Sequence, residues 1–402
     1  MKKPLFWGSL GLILYTYVGF PLLVLIRGLV RRRPVVKGDI TPRVSLVIAA
    51  YNEAATIGAK LDNALALDYP RDRLEIIVAS DGSTDGTNEI VARYAGRGVR
   101  LLAFPRQGKI PALNAAVAQA TGEILVFSDA TSIFAPDALR ILVRPFADPT
   151  IGAVGGNQHY DSGGGVASIG ERLYWSFDRT LKLLQSAAGN VIAAGGAMYA
   201  IRRALFQPVP LGVGDDFVVS TRAIAQGYRL ICEPTAIAYE TIALTDGAEF
   251  GRKVRVVDQG LRGLWAVREL FNPLRYGFYA VQIFSHKLLR WSVTAPLIVL
   301  LAVSPSLARA GRFYRLIALG QLGFYGCALG TLALRRTPLA RRRLFKLLAI
   351  PYYFCLVNLA ALRGWLRLLE GKRIDMWDSP ERGERPLAAR LLAHERELIH
   401  EA

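Results

Sequence analysis

The sequence is poor in the residues that build redox and metal centres. Its 402 residues hold three cysteines, Cys232, Cys327 and Cys355. An odd, widely spaced set excludes a disulfide framework and a cysteine zinc site. Cys327 and Cys355 lie in apolar runs and read as small core residues. The four histidines, His159, His286, His394 and His400, show no metal-ligand spacing, so a histidine centre is not expected. A Walker A loop is missing, and no GxGxxG opens a helix after a strand. Kinase, ATPase and dinucleotide chemistry are thereby disfavoured. Acidic side chains are also scarce: 32 Asp and Glu stand against 50 Lys and Arg, a net charge of +18. That balance suits nucleic acid, an anionic bilayer or a phosphate-bearing substrate. No basic stripe is interleaved with stacking aromatics, so no nucleic-acid partner is expected.

What the chain has in excess is apolar surface. It is 52% hydrophobic, with a mean hydropathy of +0.27. Residues 5–26 carry no charge and are long enough to span a bilayer. A signal peptide is the rival reading, but the run exceeds an ordinary h-region and no A-x-A site follows. Three more apolar runs lie at about 291–308, 314–334 and 344–362. Arg27, Arg31, Arg32, Arg33 and Lys37 follow the first run, against Lys2 and Lys3 before it. This asymmetry puts the middle of the chain in the cytoplasm of a multi-pass cell-membrane protein. The basic stretch 335–346, RRTPLARRRLFK, reads the same way, as a topology determinant.

The middle alternates strand-like and helix-like patterns. VSLVIAAY (44–51), EIIVAS (75–80), VRLLAF (99–104) and EILVFSD (123–129) are short apolar strands. Between them, 52–67, 84–95 and 112–120 have helical periodicity. The fold class expected is α/β, with a mostly parallel sheet covered by helices on both faces. In such sheets ligands bind at the carboxyl ends of strands. Tyr51, Glu53, Asp81 and Asp129 all fall there.

The stretch VASDGSTDGT (78–87) has three readings. As a calcium loop it fails, because the bidentate glutamate expected at its twelfth position is Ala92. As a bare turn it needs only Gly82, Gly86 and a helix start near Thr84. As a ligand site it has company, since FSDAT ends another strand and a third acidic group stands at GVGDDF (212–217). Asp81 can accept hydrogen bonds from a base or ribose. Asp129 can hold a hard divalent cation bridging a diphosphate. Asp216 can serve as a general base for an incoming hydroxyl. Together these describe group transfer from a nucleotide-activated donor.

On these motifs the chain resembles the processive-type family 2 glycosyltransferases, the group of cellulose, hyaluronan and poly-N-acetylglucosamine synthases. The resemblance runs from the N-terminal segment to Trp377. It implies a GT-A nucleotide-sugar-binding domain, with one N-terminal and about three C-terminal transmembrane helices. AAYNEA (49–54) matches the first strand end, where Tyr51 and Glu53 would contact uracil. ASDGSTDGT puts Asp81 at the uridine and leaves Asp85 to the turn or the helix start. RQGKIPALNAAVAQATGE (106–123) makes Lys109 a candidate for the uridine or diphosphate side. GDDF (214–217) supplies the acidic pair Asp215 and Asp216, with Asp216 at the catalytic base. AAGGAMYAIRR (193–203) places Gly195 and Gly196 on the acceptor side.

Two departures from the family pattern matter. SDAT (128–131) stands where the family has DxD, so Asp129 remains for Mg2+ or Mn2+ while the second aspartate is Thr131. The QxxRW motif is reduced to RKVRVVDQGLRG (252–263), which keeps Arg255 but has Val256 in place of tryptophan. Arg262, in Gln259-Gly-Leu-Arg262, is a shifted alternative. In the family this segment is an amphipathic helix at the membrane interface, near the acceptor and the diphosphate. FSHKLLRW (284–291) reads as a membrane-edge anchor through Lys287, Arg290 and Trp291.

The organisation expected is an anchor at 1–30, a cytoplasmic GT-A domain at 40–248, an interfacial segment at 249–290, membrane helices at 291–370 and a polar tail at 371–402. The activity implied is inverting transfer from a UDP-sugar to a growing polysaccharide. Single-sugar transfer to a lipid acceptor, a polyprenyl phosphate or a sphingolipid-like lipid, is the alternative, and a non-catalytic membrane nucleotide sensor a remoter one.

Overall fold

The computed structural model describes residues 2–161, 167–241, 246–335, 337, 343–373 and 376, and side chains in the helix after residue 166 from Phe177 onward. Trp377 and nearly all of the polar tail lie outside the described residues.

Eight strands form one sheet in the order β3-β2-β1-β4-β7-β6-β8-β5. They are β1 (Val44–Ala50), β2 (Leu74–Asp81), β3 (Val99–Phe104), β4 (Ile124–Asp129), β5 (Ile133–Phe134), β6 (Ile151–Asp161), β7 (Tyr199–Arg202) and β8 (Arg229–Thr241). The first four are the strands the apolar runs predict, within a residue or two, and they pair in parallel. Beyond β4 the expectation of a mostly parallel sheet needs correction. β7 runs antiparallel to both β4 and β6, and β5 antiparallel to β8, while β6 and β8 are parallel. The physical reason is the connection: β7 returns from a long helix and loop rather than from a right-handed βαβ crossover, so nothing forces it parallel.

The layers follow from strand alternation. Val44, Leu46, Ile48 and Ala50 of β1 pack with Ile57, Leu61, Ala64 and Leu65 of α2 (Ile57–Ala66) and with Leu139 and Leu142 of α5 (Ala138–Val143). α3 (Thr87–Ala92) lies on the same face and contributes Val91. Val47 points the other way, into a core with Ala112, Leu113 and Ala116 of α4 (Lys109–Ala118) and Phe217, Val218 and Val219 of α7 (Asp215–Ala225). α6 (Ala167–Ala187) carries the chain from β6 toward β7. Every β1 side chain is buried, as a strand covered on both faces requires.

The membrane-type segments flank this domain. α1 runs over Lys2–Val30 and α11 over Arg312–Leu334, and each is long and apolar enough to cross a bilayer. α9 (Phe278–Ser292) and α10 (Thr294–Leu307) meet at a 50° bend and together pass the same test. α8 (Asp246–Ala266) precedes them, and α12 (Arg343–Leu369) packs along it. Among the described residues the count is therefore two spans, or three with the bent pair. A helix, α12, forms over the predicted third C-terminal run.

Between α1 and β1 the chain is pinned to the domain. Arg229 donates to the carbonyls of Arg33 and Pro34, and Lys37 pairs with buried Glu233 at 2.6 Å. The backbone N–H of Arg33 donates to the Ala187 carbonyl. The segment that follows α1 is thus tied to the sheet domain.

Candidate active site

Four carboxyl ends of strands and loops converge on one cleft. The first wall is built from the segments after β1 and β2. Asn52 adopts a left-handed backbone, φ 50°, uncommon outside glycine and best tolerated by asparagine. Its side-chain Oδ1 accepts from the Thr84 N–H at 2.9 Å, and its own backbone N–H donates to Ser83 Oγ at 3.2 Å. Asp85 accepts from the N–H groups of Ala54 and Thr87 and from the Thr87 hydroxyl. Burial alone would raise its pKa, but these donors more than offset it and hold the carboxyl below its usual range. Asp85 is thus tied up at the start of α3 and in the stitching of two loops.

Asp81 is 1% exposed, and its carboxylate holds the loop that precedes α4. Oδ1 accepts from the backbone N–H of Gln107 at 2.7 Å and of Gly108 at 3.0 Å, and Oδ2 from Gly108 at 2.9 Å. Gly82 beside it has φ 67°, and a Cβ there would stand 2.7 Å from the Arg106 backbone nitrogen. The close approach brings the Arg106 guanidinium over the Tyr51 ring, 3.2 Å from its centroid. Glu53 is buried; its carboxylate accepts from the Thr56 hydroxyl at 2.6 Å and its N–H donates to Thr87 Oγ1 at 2.8 Å.

The second wall holds the acids. Asp129 ends β4 and is half-exposed; Asp215 and Asp216 open α7, where the helix N-terminus favours negative charge. Lys109, the first residue of α4, bridges Asp129 Oδ1 at 2.9 Å and Asp215 Oδ1 at 3.1 Å. Burial pulls the lysine pKa down, but the two carboxylates more than offset this and hold it above the usual lysine range. The other oxygen of Asp215 accepts from the Tyr199 hydroxyl at 2.8 Å. Asp216 Oδ1 accepts from the Phe217 N–H at 2.8 Å. Burial and the neighbouring Asp215 charge push Asp216 up to about 6, against the opposing charges of Lys109 and Lys287. Gly196 touches both acids: a Cβ there would lie 3.5 Å from Asp129 Oδ2 and 3.7 Å from Asp216 Oδ2. Gly195 faces Gln158 instead.

The third wall is α8. Arg252 and Lys253 both pair with buried Glu249. Arg262 lies two turns past Arg255, pairs with Asp258 at 3.5 Å and donates to the Lys372 carbonyl at 2.6 Å. Arg255 makes no hydrogen bond among the described residues and feels the charge of Asp129. Arg255 is thus within electrostatic reach of Asp129, while Arg262 is held at the end of α12. Val256 is 43% exposed. Lys287 and Trp291, read from sequence as a membrane-edge anchor, are drawn inward. Lys287 lies over the rings of Phe217 and Trp291, and the Trp291 ring packs against Gly260 of α8.

Sequence reasoning missed Tyr199, Arg106 and the inward turn of Lys287. Tyr199 did carry a signal: a lone phenol in a strand of small and apolar residues, which must find a partner when buried.

For a divalent cation the described residues offer no group of three or more acidic, histidine or cysteine ligands. Asp129 with Thr131 behind it fits a metal held mainly by substrate phosphates, the habit of Mg2+ with one or two carboxylates.

A mixed α/β sheet with an acidic cluster at its strand ends is a GT-A-like arrangement, flanked here by helices long and apolar enough to cross a membrane. Residues 45–209 match the family described as Glycosyl transferase family 2, so the chain carries a family 2 glycosyltransferase domain. It is 28% identical over 258 residues to the poly-β-1,6-N-acetyl-D-glucosamine synthase of Staphylococcus aureus, an alignment covering 62% of each protein. With the synthase of Staphylococcus epidermidis it shares 27% identity over 235 residues, 56% of this chain and 57% of that one. The chain thus spans about 62% of the length of the first of these relatives. Its structure superposes on a mannosyltransferase from Pyrobaculum calidifontis, solved with GDP-Man and Mn2+, with a TM-score of 0.65 and 26% identity. That match covers 90% of this chain and 99% of the mannosyltransferase.

Proposed function

We propose that the protein is a membrane-bound inverting glycosyltransferase that moves a sugar from a nucleoside-diphosphate donor to a growing polysaccharide. The observation that carries this reading is the convergence of Asp129, Lys109, Asp215 and Asp216 on one cleft. UDP is the donor nucleotide expected from the family resemblance; the Pyrobaculum relative was solved with GDP-Man, so both bases belong in the test.

The base rests against Tyr51 and Arg106, in the loops that Asp81 and Glu53 hold in place. The diphosphate lies between Lys109 and Arg255. Mg2+ or Mn2+ at Asp129 would neutralise charge on the leaving diphosphate. Asp216 accepts the proton of the acceptor hydroxyl as its oxygen bonds the anomeric carbon. The bond from that carbon to the diphosphate breaks on the opposite face, so the anomer inverts and the nucleoside diphosphate leaves. Asp215, held by Tyr199 and Lys109, keeps Asp216 oriented. The catalytic domain faces the cytoplasm of a cell membrane.

The test is Asp216→Asn. Turnover should fall roughly a thousandfold or more while donor binding changes little, as loss of a general base requires. In the wild type, Asp216 must be ionised to act. kcat/KM should therefore fall about tenfold per pH unit below about 6. A normal rate in Asp216→Asn removes the base assignment.

One observation favours single-sugar transfer instead: Val256 offers no ring on which a chain of sugars could stack. Sizing the product made from labelled UDP- and GDP-sugars separates the two. A long polymer identifies a synthase, and one added sugar a transferase to a lipid-linked acceptor.

A further inference from the structure

We propose that Lys109 is a resident cation that keeps the metal subsite shut in the donor-free protein and is released onto the diphosphate when donor arrives. The inference rests on the reading of Asp129 as the metal ligand. Lys109 Nζ stands 2.9 Å from Asp129 Oδ1 and 3.1 Å from Asp215 Oδ1, so one ammonium neutralises half of each carboxylate. A divalent ion at Asp129 would sit beside that ammonium, and like charges at such separations repel strongly in a partly buried site.

Two features of the chain make the arrangement more than an incidental ion pair. First, the second carboxylate of the family motif is Thr131, so Asp129 has no neighbour in its own loop to outbid the lysine. Second, a further lysine stands behind the same loop. Lys60 is fully buried, donates to the Ser132 carbonyl at 2.7 Å and feels Asp129. Asp129 thus has a lysine on two sides, Lys109 paired with it and Lys60 behind its loop. A metal gains entry when a diphosphate supplies new oxygen ligands and offers the Lys109 ammonium a better partner. Metal and donor binding are therefore coupled through one side chain, and by linkage each strengthens the other equally. A chain built this way would not hold Mn2+ in the absence of nucleotide.

The experiment measures Mn2+ binding to the full chain in detergent, by the electron paramagnetic resonance of free Mn2+, with and without UDP or GDP. Wild type should bind Mn2+ roughly tenfold or more tighter with the preferred nucleotide than without it. Lys109→Gln should bind Mn2+ without nucleotide roughly tenfold tighter than wild type, although its turnover falls. That opposition, tighter metal with slower chemistry, is not what a merely structural lysine gives. Lys109→Arg keeps the charge and should keep the metal out. An unchanged or weaker nucleotide-free affinity in Lys109→Gln overturns the proposal. If that variant does not fold, the wild type still decides: equal Mn2+ affinity with and without nucleotide also overturns it. Asp129→Asn separates the two readings. If it leaves Mn2+ affinity intact, the assignment of Asp129 fails; if it abolishes binding while Lys109→Gln changes nothing, the role given to Lys109 fails alone.

Discussion

Lys60 shows how much a single side chain can carry. It is fully buried, with its ammonium on the Ser132 carbonyl and 3.8 Å from the centre of the Phe134 ring. Burial pushes its pKa down to about 7, with the Asp129 charge opposing in part. An unfolded lysine titrates near 10.4. Below about pH 7 both states are protonated and the full desolvation cost applies. Between about 7 and 10.4 the unfolded chain holds the proton that the folded chain has lost, so the cost shrinks and stability rises with pH. At about 1.4 kcal/mol per unit, the change amounts to on the order of 5 kcal/mol. Lys60→Met removes this dependence. Urea midpoints of the two proteins should draw apart in favour of wild type as pH rises from 7 to 10. Parallel curves would mean that the lysine stays charged in the fold. The same residue marks a limit of sequence reading. It falls on the apolar side of a helix whose periodicity was plain, yet nothing in the pattern says that its amine ends beneath the acidic strand end.

At the scale of elements, the informative unit is the loop 105–108 and what holds it. Asp81 accepts three backbone hydrogen bonds from Gln107 and Gly108. The strand end, the following glycine and the loop are therefore one device. Gly82→Ala should strain a backbone at φ 67° and push its Cβ into the Arg106 backbone. The loop must then shift, moving Arg106 off Tyr51 and Lys109 off the acids. We expect nucleotide affinity to fall about tenfold or more while the sheet stays folded, since the strain of about 1–2 kcal/mol is local. Calorimetric titration with UDP and GDP checks the first, and circular dichroism the second. Unchanged affinity would mean that the loop does not form the base site. β1 and β4 were legible because they are buried on both faces and so almost uniformly apolar, and β2 and the edge strand β3 because each is a short run of mostly apolar residues. The second half was not, because β6 and β8 contain Gly, Asn, Gln, His and Glu that blur the pattern, and β7 is only four residues long.

Taken whole, the molecule is a soluble-type sheet clamped to apolar helices. α8 joins the two: Leu261 and Leu264 enter the sheet core, and Val257 meets Gly364 of α12 so closely that a Cβ at 364 would come within 2.7 Å. The basic linker after α1 is bound to Glu233, Ala187 and Arg229. With α1 and α11 each long enough to span a bilayer, the full chain should stay with the membrane pellet after alkaline carbonate extraction. Release into the supernatant would argue against spanning helices. The sequence by itself determined the α/β alternation, the apolar spans and the acids at strand ends, because each follows from local periodicity and neighbouring residues. Only the tertiary structure decided which groups meet. Lys109 and Asp215 are 106 positions apart, Asp81 is spent on a loop, and Arg262 is bound to the Lys372 carbonyl while Arg255 feels Asp129. Those pairings depend on crossing geometry and burial, which no local pattern encodes.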